Sequence, residues 1–145
     1  MGLEDRKVEK TIGDEVYSTW PMAAGKGREA LLRLIGIVSP LAGKAISGGS
    51  KLEAFGSMLQ ALPSVLGADD VKYFCETFGP YSRVIKDGKA IPLVLATQDE
   101  HFAGRYTEMT EWLAFCIEVN FGPFFRGLIA KGGNAESIMK AINLG

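Results

Sequence analysis

Residues 97–125, TQDEHFAGRYTEMTEWLAFCIEVNFGPFF, carry the longest helical pattern of the chain and decide its predicted fold. Thr97 followed by Glu100 forms a capping box, the pairing that satisfies the free amides at a helix start. We therefore predict one helix from about Gln98 to Phe121. The run that follows, with Gly122 and Pro123, is predicted to break it.

Along this helix, residues of one face recur at steps of three and four: Phe102, Tyr106, Met109, Leu113, Cys116, Ile117 and Asn120. Three further residues, Trp112, Phe115 and Val119, widen the apolar sector beyond a narrow stripe. Such a wide sector indicates a central helix or one that packs against a second protein.

Three more helices are predicted upstream of this stretch. Apolar spacing from Lys26 to about Ser47 predicts an amphipathic helix that Pro40 should kink or break. Ser50 and Glu53 form a second capping box for the next helix. A third begins near Asp69-Asp70, whose carboxylates suit the positive end of a helix dipole, and ends at Gly79-Pro80.

Strand signals are few. Residues 11–20 alternate loosely and predict one short strand, and residues 82–95 predict a hairpin because Asp87-Gly88 supplies the positive φ angles of a tight turn. Pro92 places its strand at a sheet edge. With a last helix capped by Asn134, we predict a mainly α, single compact domain over residues 1–145. It has about five helices, a short N-terminal strand, a small β-hairpin and a frayed tail at residues 1–10.

Composition narrows the classes of function. The 145 residues contain 16 basic and 17 acidic side chains, for a formal charge of -1. This balance gives no broad cationic field, so neither nucleic acid nor an anionic membrane is an expected partner. Cys75 and Cys116 lie in apolar stretches without metal or redox spacing and are expected to be small buried hydrophobes in a reducing cytoplasm.

Catalytic motifs are lacking. His101 is the single histidine, which excludes a two-histidine metal site, and no nucleophile elbow accompanies it. The adjacent carboxylates at predicted helix starts are explained by the helix dipole. We therefore expect no catalytic residue, no metal and no cofactor, and a structural role for His101.

Residues 25–30 fit the GxGxxA pattern of a dinucleotide-binding turn through Gly25 and Gly27. That interpretation requires alternating strands and helices, whereas here helix follows helix. A small enzyme or nucleotide-dependent regulator using Gly25 and Gly27 stays open as an alternative. Ligand-induced thermal stabilisation would reveal it.

Two segments together resemble a known family. Residues 99–106, DEHFAGRY, followed by Trp112-Leu113 and by residues 119–125, VNFGPFF, are similar to the C-terminal signature of phage tail assembly chaperones. Residues 16–21, 31–36 and 39–41 resemble the opening strand and leucine-rich first helix of that family. The resemblance covers roughly Tyr17 to Phe125.

This resemblance implies a non-enzymatic chaperone in the host cell cytoplasm. Such proteins coat the tape measure protein and keep it soluble while tail tube subunits polymerise around it, and they are absent from the mature virion. The implied partners are the tape measure protein, the tail tube protein and further copies of the chain in a homo-oligomer. Another tail morphogenesis protein, such as a completion or connector protein that remains in the particle, is the main alternative.

We predict that the signature residues bind the partner: His101, Phe102, Arg105, Trp112, Asn120, Phe121, Phe124 and Phe125. His101 and Arg105, four apart on one helix face, are expected to bind a carboxylate of the partner. The aromatic cluster has two interpretations, core or interface anchor. Because glycine destabilises a helix interior, Gly104 is predicted to mark a tight packing contact.

Overall fold

The computed structural model describes residues 2–45, 62 and 66–130, with side chains given for residues 2–37, 62 and 66–127. Within those ranges the fold is α+β, with a four-stranded antiparallel sheet and four α-helices. The elements in chain order are β1 (Val8–Ile12), β2 (Glu15–Thr19), α1 (Ala24–Ala45), α2 (Ala68–Phe78), β3 (Ser82–Lys86), β4 (Lys89–Pro92), α3 (Leu95–His101) and α4 (Tyr106–Ala130). Short 3-10 turns precede β1 and β3.

The sheet joins two hairpins in the spatial order β1-β2-β3-β4. In the β3–β4 turn, Asp87 has φ 50° and Gly88 has φ 77°, so both central residues adopt the positive φ that a type I′ turn requires. The predicted hairpin is therefore confirmed. The edge position of Pro92 is confirmed as well, because β4 is the last strand of the sheet.

The central pairing of the sheet is long-range. β2 pairs with β3 in antiparallel register, with Tyr17 opposite Val84 and Thr19 opposite Ser82, and both α1 and α2 lie between these strands in sequence. The prediction of a mainly α fold with about five helices is therefore wrong. The predicted N-terminal strand and the predicted hairpin are parts of one sheet.

The N-terminal segment supplies the fourth strand. Residues 8–12 form β1 and pair with all of β2. Residues 8–10 were predicted to belong to a frayed tail, and that prediction is wrong for them. The side chains of residues 8–11 are exposed and only Ile12 is buried. An edge strand of this kind is held by backbone hydrogen bonds rather than by alternating burial, so its charged sequence resembles a tail.

The upstream helices follow the predictions where the structure describes them. α1 spans Ala24–Ala45 and continues through Pro40, where a break was one of the expected outcomes. α2 starts with Asp69 and Asp70 in its first turn and ends before Gly79, as predicted. The predicted helix beginning at Ser50 lies outside the described residues except for Leu62, which is helical and buried. The predicted helix capped by Asn134 falls on residues 131–145, outside the described residues.

The long C-terminal pattern folds differently from the prediction. It forms two helices, because α3 ends at His101 and α4 starts at Tyr106. Gly104 between them has φ +75°, is exposed, and has open space where a Cβ would be placed. The predicted tight contact at Gly104 is therefore wrong. Its positive φ instead belongs to the turn between α3 and α4, in which the amide of Arg105 donates to the carbonyl of Phe102.

The structure also differs from the predicted start and end of this helical pattern. The N-cap of α3 is Val94, without a side-chain cap, so Thr97 and Glu100 form no capping box. At the other end α4 continues across Pro123 to Ala130. Phe121 and Phe125, one turn apart and both buried, pack on the same side, and this burial offsets the cost of about 3 kcal/mol of an internal proline.

The core lies between α4 and the sheet. Trp112 of α4 is fully buried, and its indole N–H donates to Ser82 Oγ at 2.8 Å. The Ser82 hydroxyl in turn donates to the carbonyl oxygen of Ser18 at 2.9 Å. Cys75 and Cys116 are buried free thiols, as predicted, and burial raises the pKa of Cys75 to about 11.

Candidate functional site

The eight residues predicted to bind a partner are divided between core and surface. Five are at most 7% exposed: His101, Phe102, Trp112, Phe121 and Phe125. Asn120 and Phe124 are partly buried and Arg105 is exposed. In this conformation the aromatic members build the interior, and the core interpretation applies to Phe121 and Phe125.

His101 and Phe102 form an aromatic cluster with a strand of the sheet. Tyr17 Oη lies 2.7 Å from His101 Nε2, in a buried contact between β2 and the end of α3. The Phe102 ring stacks on Tyr17 with centroids 6.0 Å apart and lies 5.5 Å from the Trp112 ring. The signature segment thus joins α3 and α4 to the centre of the sheet.

Hydrogen-bond geometry favours one tautomer of His101. Tyr17 Oη is also 3.5 Å from Glu108 Oε2, and it can donate there only if Nε2–H of His101 donates to the tyrosine oxygen. In that arrangement Nδ1 is an acceptor, and it is buried without a partner among the described residues. The result is a directed chain from His101 through Tyr17 to Glu108.

Burial determines the protonation of this pair. The pKa of His101 is lowered, first by desolvation and then by the positive charges of Lys86 and Arg105, against the opposing effects of Glu15 and Glu108. The pKa of Tyr17 is raised, first by desolvation and then by the Glu108 and Glu15 carboxylates. Both side chains are therefore neutral near pH 7, which suits a structural hydrogen bond.

Arg105 does not share a helix face with His101, contrary to the prediction. Because α3 ends between them, Arg105 instead contacts two carboxylates of its own chain, Glu15 at 3.4 Å and Glu108 at 3.9 Å. About half of the Arg105 side chain stays exposed. A role in binding a partner's carboxylate stays a prediction, and it would require Arg105 to exchange or share these contacts.

A small depression of about 420 Å³ opens next to this cluster, lined by Val84, Lys86, Ile91, Thr97, Glu100 and His101. Its charged members, Lys86 and Glu100, are of opposite sign. The described residues contain no group of three or more histidine, cysteine or acidic side chains able to hold a metal ion. None of the helices in those ranges is long and apolar enough to cross a membrane.

Asn120 has a positioning role within the chain. Its Oδ1 accepts a hydrogen bond from the backbone amide of Met22 at 2.9 Å, and its Nδ2 donates to the carbonyl of Cys116 at 3.0 Å. The segment that leads from β2 into α1 is thereby attached to α4. Phe121 packs nearby against Phe78 of α2, with ring centroids 6.2 Å apart.

The glycine motif does not form a phosphate-binding loop. α1 begins at Ala24, so Gly25 and Gly27 lie inside its first turns, and the amide of Gly27 donates to the carbonyl of Ala23. A dinucleotide-binding turn instead presents free amides between a strand and a helix of a parallel sheet. The four described strands are all antiparallel.

A second depression was missed in the sequence. We call it the β1–α4 groove; it measures about 550 Å³ and is lined by Arg6, Val8, Glu9, Lys10, Pro21, Phe115, Glu118, Val119, Pro123 and Arg126. It could not be predicted once residues 1–10 were taken as a tail. The available signal was the wide apolar sector of α4, because Phe115 and Val119, which widen that sector, both line the groove.

Comparison with known proteins identifies a family. A family model described as phage tail assembly chaperone protein, TAC, matches residues 13–134. This range contains both signature segments, from Tyr17 on β2 to Phe125 on α4. No curated protein and no solved structure matches the chain significantly.

Proposed function

The chain belongs to the phage tail assembly chaperone family, and we propose that it binds the tape measure protein and keeps it soluble during tail assembly. In this proposal the tail tube protein displaces the chaperone as tube subunits polymerise. The chaperone is then absent from the mature virion. Its place of action is the cytoplasm of the host cell, and its action is binding rather than catalysis.

The observation that carries the proposal is the family match over residues 13–134. The match includes β2, α1, α2, β3, β4, α3 and all of α4, and β1 lies just before its first residue. It therefore concerns most of the fold rather than one motif. The physical features agree with a binding protein. Near-neutral charge provides no attraction for nucleic acid, while the β1–α4 groove offers apolar surface for a polypeptide.

Displacement during assembly sets a requirement on affinity. A chaperone that must leave as the tube grows needs contacts that exchange on the time scale of polymerisation. Contacts spread over several copies of a small protein meet this requirement, because each contact is weak while the assembly as a whole is retained. We therefore include homo-oligomerisation on the partner in the proposal.

The decisive experiment follows the chain through assembly. An affinity-tagged chain is purified from infected cells during particle formation, and the recovered proteins are identified by mass spectrometry, alongside the proteins of purified virions. The expected result is tape measure protein in the first sample and no chain in the second. Recovery of the chain in virions at fixed stoichiometry would instead make it a structural tail protein.

A second measurement isolates the chaperone activity itself. The tape measure protein of the same phage is expressed with and without the chain, and its soluble fraction is measured after centrifugation. We expect co-expression to raise the soluble fraction. An unchanged soluble fraction, together with no recovery of the tape measure protein, would contradict the proposal.

A further inference from the structure

We propose that the β1–α4 groove is the docking site for an amphipathic helix of the partner protein whose apolar stripe is flanked by carboxylates. This assignment rests on the proposed function, because it takes the partner to be the protein that the chaperone keeps soluble. It goes beyond that function by naming the surface, the conformation of the bound segment and its charge.

The floor of the groove is apolar and open to solvent. Val8 on β1 is 45% exposed although it is a large aliphatic residue, and Pro123 on α4 is also exposed. Val119 and Pro21 are partly buried beside them, while Phe115 closes the bottom. Apolar residues from a strand and a helix thus form one continuous surface that gains free energy when it is covered.

The charges around this floor are unbalanced. On the α4 side Arg126 and Glu118 form an ion pair with each other. On the β1 side Arg6 and Lys10 have no carboxylate within ion-pair distance among the described residues, and Glu9 is the one acidic residue there. The Lys10 ammonium lies 6.0 Å above the Phe115 ring, directly over the apolar floor. A partner with carboxylates beside its apolar stripe complements this rim.

A second copy of the chain is a poorer occupant. β1 is an edge strand, and the antiparallel register that overlaps all five of its residues with the same strand of a second copy places Lys10 opposite Lys10. Like charges directly opposite each other destabilise a strand pair, and edge lysines are a common way to prevent such pairing. The charge pattern therefore disfavours a continuous sheet between two copies.

A helix suits the shape of the groove. A helix presents residues i, i+3, i+4 and i+7 along one side, so two turns place three or four apolar side chains on the floor. A volume of about 550 Å³ accommodates side chains of that number and size. Carboxylates at neighbouring positions of the helix then reach Arg6 and Lys10.

The test uses the purified full-length chain and the tape measure protein of the same phage, with their affinity measured directly. Val8→Asp removes apolar surface at an exposed position, and we expect Kd to rise about tenfold or more. Leu32→Asp is the matched control, because Leu32 is a 40% exposed apolar residue on α1 outside the groove. The control is expected to bind as the wild type does.

Charge variants test the chemistry of the occupant. Lys10→Glu is expected to weaken binding and Glu9→Lys to tighten it, each by a few-fold, and higher salt should weaken the wild type more than Lys10→Glu. A photo-crosslinking residue at Val119 should attach to tape measure segments with the i, i+3, i+4, i+7 apolar pattern and nearby Asp or Glu. Equal responses of the two charge variants would overturn the assignment of an acidic helix.

The remaining outcomes separate the two proposals. If the wild type binds the tape measure protein and Val8→Asp binds equally well, the groove assignment is overturned and the chaperone function stands. If the wild type does not bind at all, both proposals fail. If the groove variants instead change the mass of the chain alone in solution, measured by light scattering, the occupant is a second copy and the assignment is again overturned.

Discussion

The hydroxyl of Tyr17 on β2 lies 2.7 Å from Nε2 of His101, the last residue of α3, although the two residues are 84 positions apart in sequence. Both side chains are almost completely withdrawn from solvent. Since β2 pairs with β3 and Phe102 stacks on Tyr17, this contact attaches the α3–α4 turn to the centre of the sheet. The contact thereby gives His101 a structural role in the fold.

Removal of the Tyr17 hydroxyl tests this role. Tyr17→Phe leaves His101 Nε2 buried without a partner, so we expect the free energy of unfolding to fall by about 1–3 kcal/mol. Urea unfolding followed by tryptophan fluorescence measures it. Tyr106→Phe is the control, because Tyr106 is 71% exposed, and its effect should stay within about 0.5 kcal/mol. Equal effects of both substitutions would contradict a structural hydrogen bond.

The same pair predicts how stability depends on pH. The pKa of His101 is lower in the folded protein than its ordinary value of 6.5, so below that value the unfolded state binds a proton that the folded state resists. Stability is therefore full above the unfolded pKa and is lost as pH falls through the window beneath it, with a slope of up to about 1.4 kcal/mol per pH unit.

Unfolding measured between about pH 5.5 and 7.5 checks this prediction. His101→Gln removes the titrating group, so the variant should show a flatter dependence than the wild type over this window, even if its stability is lower throughout. The groups that face His101 are Lys86, Arg105, Glu15 and Glu108, and they stay in place in both proteins. An unchanged slope in His101→Gln would assign the dependence to other groups.

Local sequence signals predicted correctly those turns and helices whose conformation depends on their own residues. Asp87-Gly88 fixes a hairpin turn through φ alone, and the apolar spacing with terminal Asp69 and Gly79 fixes α2. The sheet as a whole could not be predicted in this way. β1 has exposed side chains at four of its five positions, and the β2–β3 pairing joins residues more than 60 positions apart.

In the candidate site, too, local features were predicted from the sequence and long-range ones were not. Periodicity placed Phe102 and Trp112 on an apolar face correctly, and the structure buries both. It could not show that α3 ends at His101, because the helical pattern continues across the turn. The β1–α4 groove was not predicted because one of its walls is β1, a strand whose side chains show no alternation of burial.

Gly104 offers a test of the turn between α3 and α4. Its φ of +75° suits glycine and strains other residues, while the space around it is open. Gly104→Ala is therefore expected to lower stability by about 1 kcal/mol. Gly36→Ala is the matched control, since Gly36 lies inside α1 with equally open space. That substitution should raise stability by about 0.5–1 kcal/mol, so the two changes have opposite signs.

Gly79 tests the opposite case, in which the backbone conformation accepts any residue but there is no room for a side chain. Its φ is -49°, which any residue adopts, but a Cβ there would meet the carbonyl oxygen of Leu93 and would lie 2.7 Å from Gln98 Nε2. That amide donates to the carbonyls of Cys75 and Leu93, joining the end of α2 to the entry of α3. We expect Gly79→Ala to cost about 1–3 kcal/mol.

A double-mutant cycle identifies the cause of that cost. Gln98→Ala removes the amide that the new methyl group displaces, so Gly79→Ala should cost less in the Gln98→Ala background than in the wild type. Part of the cost remains in that background, because the Leu93 carbonyl is backbone and cannot be removed. If the two changes in the free energy of unfolding are strictly additive, the Gln98 side chain moves aside without loss of stability. The destabilisation by Gly79→Ala would then come from the contact with the Leu93 carbonyl alone.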